Sequence, residues 1–275
     1  MSDAAPLAVA RAVSFAGGSV FEVTLLPFGG RDAIVKRVRR ELGREPRAQR
    51  ALEREHAALT MLAGRHAPRL LASELAAGGE LLCVWQERAR GRSLLELVEA
   101  TGPFAGPRLE RLMGSAFEAL TVLHGAHDEG GALELSHGDL KPEHIFIDGD
   151  DITFVDFGMA RFRGLSLSPA AREEQGTLPY VAPEVLRGEA ALDQAADVYA
   201  LAVVLLFAAL GAEPGADQAP SFRLLTLAEK GLAAELVAGC AGLSARGRAT
   251  LAAALTFDRK QRTLRADELT ARLTR

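Results

Sequence analysis

The spacing of apolar and polar positions changes character about a third of the way along the chain. Residues 20–26 read as a strand, 27–31 with their paired glycines as a turn, and 33–38 as the returning strand. Over 47–62 the apolar period becomes helical. Leu52, Leu59 and Leu62 share one stripe, and Glu55 falls on that same face. Residues 70–75 and 81–85 read as further strands. Beyond 90–93 the pattern turns mostly helical. Leu109, Leu112, Met113, Ala116, Phe117, Leu120 and Leu123 keep helical spacing. Two short apolar runs, 145–147 and 152–155, bracket Asp148-Gly-Asp-Asp151 as a hairpin. Residues 198–212 carry no charge, but the stretch is short for a membrane span and reads as a helix buried in a large lobe. The pattern predicts an α+β chain. A small β-rich lobe with one helix covers about 10–87, a larger, mostly helical lobe covers about 92–275, and the two make a single domain over 1–275.

Composition narrows the classes. Hydrophobic residues are 48% and charged residues 25%, which supports an ordinary packed core. A net charge of -4 gives no support for nucleic-acid binding. Two cysteines, Cys83 and Cys240, do not make a disulfide framework, and no secretory signal opens the chain, so a cytoplasmic protein without a membrane anchor is expected. Of 32 basic residues only four are Lys: Lys36, Lys141, Lys230 and Lys260. An Arg-rich chain that keeps Lys at a few places points to sites needing a compact point charge.

Candidate chemistry gathers in a few segments. A carboxylate on the core face of a helix is costly unless paired, and Lys36 is the nearest plausible cation for Glu55; the alternative is that Glu55 ends the stripe and reaches solvent. The run His137-Gly-Asp-Leu-Lys-Pro-Glu-His144 holds two acids, a Lys and two His on a segment that Pro142 keeps from regular helix. Asp139 and Lys141 can converge there on one reacting group, the carboxylate accepting a proton and the ammonium stabilising negative charge. Asp156-Phe-Gly158, after a strand, suits a divalent cation.

In this order and spacing the motifs resemble those of eukaryotic-type serine/threonine protein kinases, over nearly the whole chain. The resemblance is carried by Ala33-Ile-Val-Lys36, Glu55, His137 to His144, Asp156-Phe-Gly158, Gly176-Thr-Leu-Pro-Tyr-Val-Ala-Pro-Glu184, Asp197-Val-Tyr and Arg262. It implies the bilobal kinase fold and transfer of the ATP γ-phosphate to protein Ser and Thr hydroxyls. Asp139 would be the catalytic base, with Lys141 and Thr177 beside it. Lys36 would hold the phosphates and pair with Glu55. Gly17, Gly18, Val23 and Ile34 would enclose the nucleotide. Gln86 would gate the back of the adenine pocket, and the backbone at Glu87 and Ala89 would bond the base. Asp156 and His144 would face the metal, Mg²⁺ or alternatively Mn²⁺. Glu184 would pair with Arg262, Asp197 would brace the catalytic loop, and His137, Phe157 and Leu59 would stack. The chain is near the minimal length for the fold, so regulation would come from a partner protein or from the loop holding Ser166 and Ser168.

Several positions depart from that family. Ala16, Gly18 and Phe21 stand at the three glycine places of the phosphate-covering loop, Ile34 replaces a usual Ala, and Gly138 replaces the Arg before the catalytic Asp. His144 stands where the family has Asn, and imidazole nitrogen suits Mn²⁺ or Zn²⁺ better than Mg²⁺. Two alternatives stay open: a pseudokinase that binds nucleotide or serves as a scaffold, and a small-molecule phosphotransferase of the aminoglycoside-kinase type. The basic run Arg37, Arg39, Arg40, Arg44, Arg47, Arg50 and Arg54 is expected to be a solvated helix face and its entry loop rather than a docking site for an acidic partner.

Overall fold

A computed structural model describes residues 11–12, 21–39, 45–165, 176–232, 234–262 and 265–274. The first lobe is an antiparallel sheet of β1 (Arg11–Ala12), β2 (Phe21–Phe28), β3 (Arg31–Val38), β4 (Leu70–Leu75) and β5 (Leu81–Glu87), in the order β1-β2-β3-β5-β4. The expected five-residue turn is tighter than its sequence suggests. Phe28 pairs Arg31 and Pro27 pairs Asp32, leaving only Gly29 and Gly30 at the bend. Both glycines take positive φ, 56° and 80°, the geometry that matches a two-residue hairpin to the twist of its strands. Among the described residues β1 pairs β2 only at Thr24 and Leu25, so no described neighbour on that side meets the missing N–H of Pro27.

Helix α1 (Pro46–Leu62) packs on this sheet. Its start is fixed by Pro46 in the first turn and by Glu45, whose side chain accepts from Ala48 N at 2.6 Å. Leu52, Glu55, Leu59 and Leu62 are all fully buried, as the stripe requires. The basic run is not one solvated face. Arg54 is buried, and Arg50 is half-buried and accepts from Arg54 Nε at its carbonyl, because the run turns with the helix and crosses its core side. Arg40 and Arg44 lie outside the described residues.

After the crossing segment come β6 (Arg92–Ser93), α2 (Leu94–Thr101) and α3 (Gly106–His124). A capping box opens α2, with Ser93 and Glu96 each bonding the other's backbone N–H. A short hairpin of β7 (His127–Asp128) and β8 (Gly131–Ala132) leads to an irregular loop. Beyond it, β9 (Ile145–Asp148) and β10 (Asp151–Phe154) form the expected hairpin around Gly149 and Asp150. The helices α4 (Pro183–Leu186), α5 (Gln194–Leu210), α6 (Pro220–Lys230), α7 (Ala234–Ala238), α8 (Ala245–Ala254) and α9 (Ala266–Thr274) complete the second lobe. Residues 196–208 of α5 are buried all round, so this helix is the axis of the lobe. Helix α3 packs against both α5 and α9. Among the described residues no helix is long and apolar enough to cross a membrane.

Candidate active site

Sheet register builds one wall of the cleft. Val23 pairs Lys36 and Leu25 pairs Ile34, while β3 sets Lys36 opposite Val84 and Ile34 opposite Gln86. Directly opposed residues project to one face, so Val23, Ile34, Lys36 and Gln86 share it. Gln86 is buried, and its Oε1 finds no hydrogen-bond partner among the described residues. Glu87 gives its N–H to Arg69 O at 2.9 Å, so only its carbonyl could serve a ligand. Ala89 makes no backbone hydrogen bond among the described residues. Gly17 and Gly18 lie outside the described residues. Phe21, at the third glycine place, brings its ring centroid to 5.9 Å from Lys36 Nζ, so a side chain rather than bare backbone approaches the ammonium.

Lys36 Nζ donates to both oxygens of Glu55, at 2.7 and 2.8 Å, and lies 3.3 Å from Asp156 Oδ1. Strand β3 and helix α1 are thus tied across the lobe, and β10 delivers Asp156 from the other lobe. Burial disfavours the Lys36 charge, but Asp156 and Glu55 outweigh it and hold the ammonium above its ordinary value. The same burial, reinforced by Asp156, pushes Glu55 up to about 7 against the pull of Lys36. Burial would raise Asp156 too, yet Lys36, His144 and His137 hold it well below the usual carboxylate range. The two carboxylates therefore part: Asp156 is the strong acid of the trio and Glu55 the weak one. Asp156 sits at φ 69°, a left-handed conformation unusual outside glycine, which is held by its surroundings.

The segment from His137 to His144 is braced from below. Asp197, on α5, accepts from His137 N at 2.7 Å and from Gly138 N at 2.9 Å. Its Oδ2 also meets His124 Nε2 at 3.1 Å. Gly138 has φ 80°, and a Cβ there would stand 2.5 Å from Met159 O, so this loop path excludes any side chain in place of the glycine. Asp139 then faces Thr177, whose hydroxyl donates to Asp139 Oδ1 at 2.7 Å. Lys141 Nζ lies 3.4 Å from Asp139 Oδ2 and 3.5 Å from Thr177 Oγ1. A carboxylate, an ammonium and a hydroxyl from two distant segments thus meet at one point.

Burial pulls the His137 and His144 imidazoles below their ordinary values. His137 meets Val155 O with Nε2 at 3.0 Å, accepts from Asp139 N at Nδ1 and packs its ring 4.7 Å from that of Phe157, tilted by 48°. Leu59 and Phe157 belong to the same buried cluster. His144 Nδ1 meets the Asp139 carbonyl at 2.9 Å, so it carries the proton, and Nε2 turns a lone pair to Asp156 Oδ2 at 3.5 Å. A hard oxygen and a borderline nitrogen facing each other fit a divalent cation. Among the described residues no set of three or more His, Cys, Asp or Glu is gathered for one, so such a cation would need further ligands from its substrate or water.

Glu184 and Arg262 form a buried ion pair, as expected, with the guanidinium 5.1 Å from the Tyr199 ring. Sequence reading missed two supports. His124 reaches Asp197 from the end of α3, and Gln194 Nε2 donates to the carbonyls of His124 and Leu135 at 3.0 and 3.1 Å. Tyr180 donates to Glu213 Oε1 at 3.1 Å, and Arg223 holds Glu213 Oε2 from two nitrogens. Only the position of His124 at a helix C-terminus hinted at the first; nothing local hinted at the second.

Residues 17–262 match the family model described as protein kinase domain. The chain is 31% identical over 188 residues to a probable serine/threonine-protein kinase PkwA of Thermomonospora curvata, covering 68% of this chain and 24% of that protein. It is 27% identical over 241 residues to the serine/threonine-protein kinase AfsK of Streptomyces coelicolor, covering 85% of this chain and 29% of the relative. With the serine/threonine-protein kinase PknB of Mycolicibacterium smegmatis it shares 31% identity over 199 residues, covering 69% of this chain and 30% of that one. The chain thus spans about a quarter to a third of the length of these curated relatives.

Proposed function

The chain belongs to the protein kinase family, and on that premise we propose that it transfers the γ-phosphate of ATP to Ser and Thr hydroxyls of proteins. The observation that carries this reading is the meeting of Asp139, Lys141 and Thr177 within 3.5 Å of one another. Asp139 accepts the proton of the substrate hydroxyl as its oxygen bonds to the γ-phosphorus and the bond to the bridging oxygen breaks. Thr177 fixes the rotamer of Asp139, and Lys141 offsets negative charge on the transferring group. Lys36, oriented by Glu55, binds the α- and β-phosphates. Val23 and Ile34 cover the adenine, Gln86 closes the back of its pocket, and the Glu87 carbonyl and Ala89 N–H bond its edge. Gly17 and Gly18, outside the described residues, would complete the nucleotide site by family resemblance.

Asp156 and His144 would hold the divalent cation, which supplies charge neutralisation on the phosphates. The imidazole in that donor pair favours Mn²⁺ over Mg²⁺ relative to an all-oxygen pair. The whole of 1–275 acts as one kinase domain in the cytoplasm, with protein substrates and a regulatory protein partner. A transfer assay with radiolabelled ATP, a generic protein acceptor and either Mg²⁺ or Mn²⁺ tests the reading. Label should reach protein Ser or Thr with at least one metal. Folded protein that transfers to neither itself nor any acceptor would leave a pseudokinase, and transfer to an aminoglycoside but to no protein would leave a small-molecule phosphotransferase.

A further inference from the structure

A second cavity, of about 530 Å³, lies behind the catalytic loop. It shares Leu192 with the small cleft that holds Asp139 and Thr177. Its wall residue His124 bonds to Asp197, which in turn holds the N–H of Gly138. One layer of side chains therefore separates this cavity from the loop.

Five arginines line it: Arg161, Arg163, Arg259, Arg262 and Arg265. Glu134 and Asp193 are the acids of the lining, and Asp193 is already committed. Its Oδ1 accepts from Ala196 N at 2.9 Å as the cap of α5, and its Oδ2 takes Arg259. Arg163 and Arg262 are held in place by Asp128 and Glu184, which stand outside the lining. A guanidinium carries five N–H donors, and each of these partners uses only some of them. Arg259 meets Asp193 through Nη2, and Arg265 meets Asp267 through Nε at 3.6 Å. The side chains of Arg259 and Arg265 are 46% and 71% exposed, so their remaining donors are open to a ligand. The first turn of α5 also lines the cavity, with its end already capped by Asp193.

We propose that this cavity binds a phosphate monoester, carried by a free small molecule or by a phosphorylated side chain. Planar guanidinium forks match phosphate oxygens two at a time, which lysines do not, and the cavity has the volume of a ligand site rather than that of a single bare anion. The cavity is assembled from four segments: the end of α3 with the loop after it, the irregular segment after Asp156, the start of α5 and the segment before α9. Occupancy ties these segments together and steadies the Asp197 brace. That second consequence rests on the phosphotransfer reading; binding itself does not.

Calorimetric titration and thermal unfolding of the full chain, without nucleotide or divalent cation, test it with three probes: inorganic phosphate, a phosphoserine peptide and the same peptide unphosphorylated. The variants are Arg259→Ala with Arg265→Ala, and separately Lys36→Met to disable the nucleotide site. Saturable binding of a phosphorylated probe should survive Lys36→Met and weaken about tenfold or more in the arginine variant. A phosphopeptide that binds tighter than phosphate assigns the ligand to a phosphorylated side chain, and the reverse order assigns it to a small anion. Binding lost in Lys36→Met but kept in the arginine variant overturns the proposal. So does equal binding of the unphosphorylated peptide, or no saturable binding of either phosphorylated probe. Because no transfer is measured, failure here leaves the kinase reading untouched, and an inactive enzyme leaves this site standing.

Discussion

His144 Nε2 faces Asp156 Oδ2 at 3.5 Å, with the other ring nitrogen anchored on the Asp139 carbonyl at 2.9 Å. The anchor decides the tautomer, so an unprotonated nitrogen and a strongly ionised carboxylate look toward one another. Two acceptors in that relation call for a cation between them, and an imidazole makes it a softer site than two oxygens would. Wild-type protein should work better with Mn²⁺ than with Mg²⁺, and His144→Asn should move the ratio toward Mg²⁺. Initial rates against concentration of each metal check this. An unchanged ratio in the variant would mean that His144 only anchors the loop.

Lys36 touches three carboxylate oxygens within 3.3 Å while almost wholly buried. A planar guanidinium keeps the charge but cannot occupy that point between Glu55 and Asp156. Lys36→Arg should therefore cost roughly 100-fold or more in transfer rate, on the scale of losing one preorganised charged donor. Rates measured alongside an unfolding midpoint separate lost chemistry from lost folding.

Glu55 carries a pH signature. Burial raises its folded-state value to about 7, above its ordinary value of 4.5. A group raised on folding contributes stability below its unfolded value and loses it as pH rises through its folded one. The nucleotide-free wild type should therefore lose stability relative to Glu55→Gln between about pH 4.5 and about pH 7, with little further change above that. Thermal midpoints of both proteins across that window give the difference directly, and parallel curves would contradict the assignment.

Gly138 stands where a Cβ would meet Met159 O at 2.5 Å, with a φ of 80°. Gly138→Ala and Gly138→Arg should each destabilise the fold by about 1–3 kcal/mol, the cost of forcing a side chain into a strained backbone. Denaturant unfolding gives the free energy.

Helical spacing put Glu55 on a core face with Lys36 as the nearest cation but left a solvent-facing Glu55 open, and the family resemblance made them a pair. The Asp148-Gly-Asp-Asp151 hairpin was legible because its turn residues are local. Pro27 misled because proline usually breaks a strand, whereas here it stays in β2 opposite Asp32 of β3. Arg54 misled because a run of like charges hides which residues a turning helix buries. The direction of His144 Nε2 was out of reach, since it follows from a hydrogen bond to a carbonyl five residues away. The arginine cavity was equally hidden: its members lie in segments far apart in sequence and follow no period.

The central claim is that Asp139, positioned by Thr177 and balanced by Lys141, takes the proton of a protein hydroxyl during transfer from ATP. Transfer of radiolabelled phosphate by wild type and by Asp139→Asn, in the better of Mg²⁺ and Mn²⁺, tests it most directly. The account predicts labelled Ser or Thr with wild type and a loss of about 100-fold or more in the variant, with its unfolding midpoint little changed. Equal transfer by both proteins would contradict it.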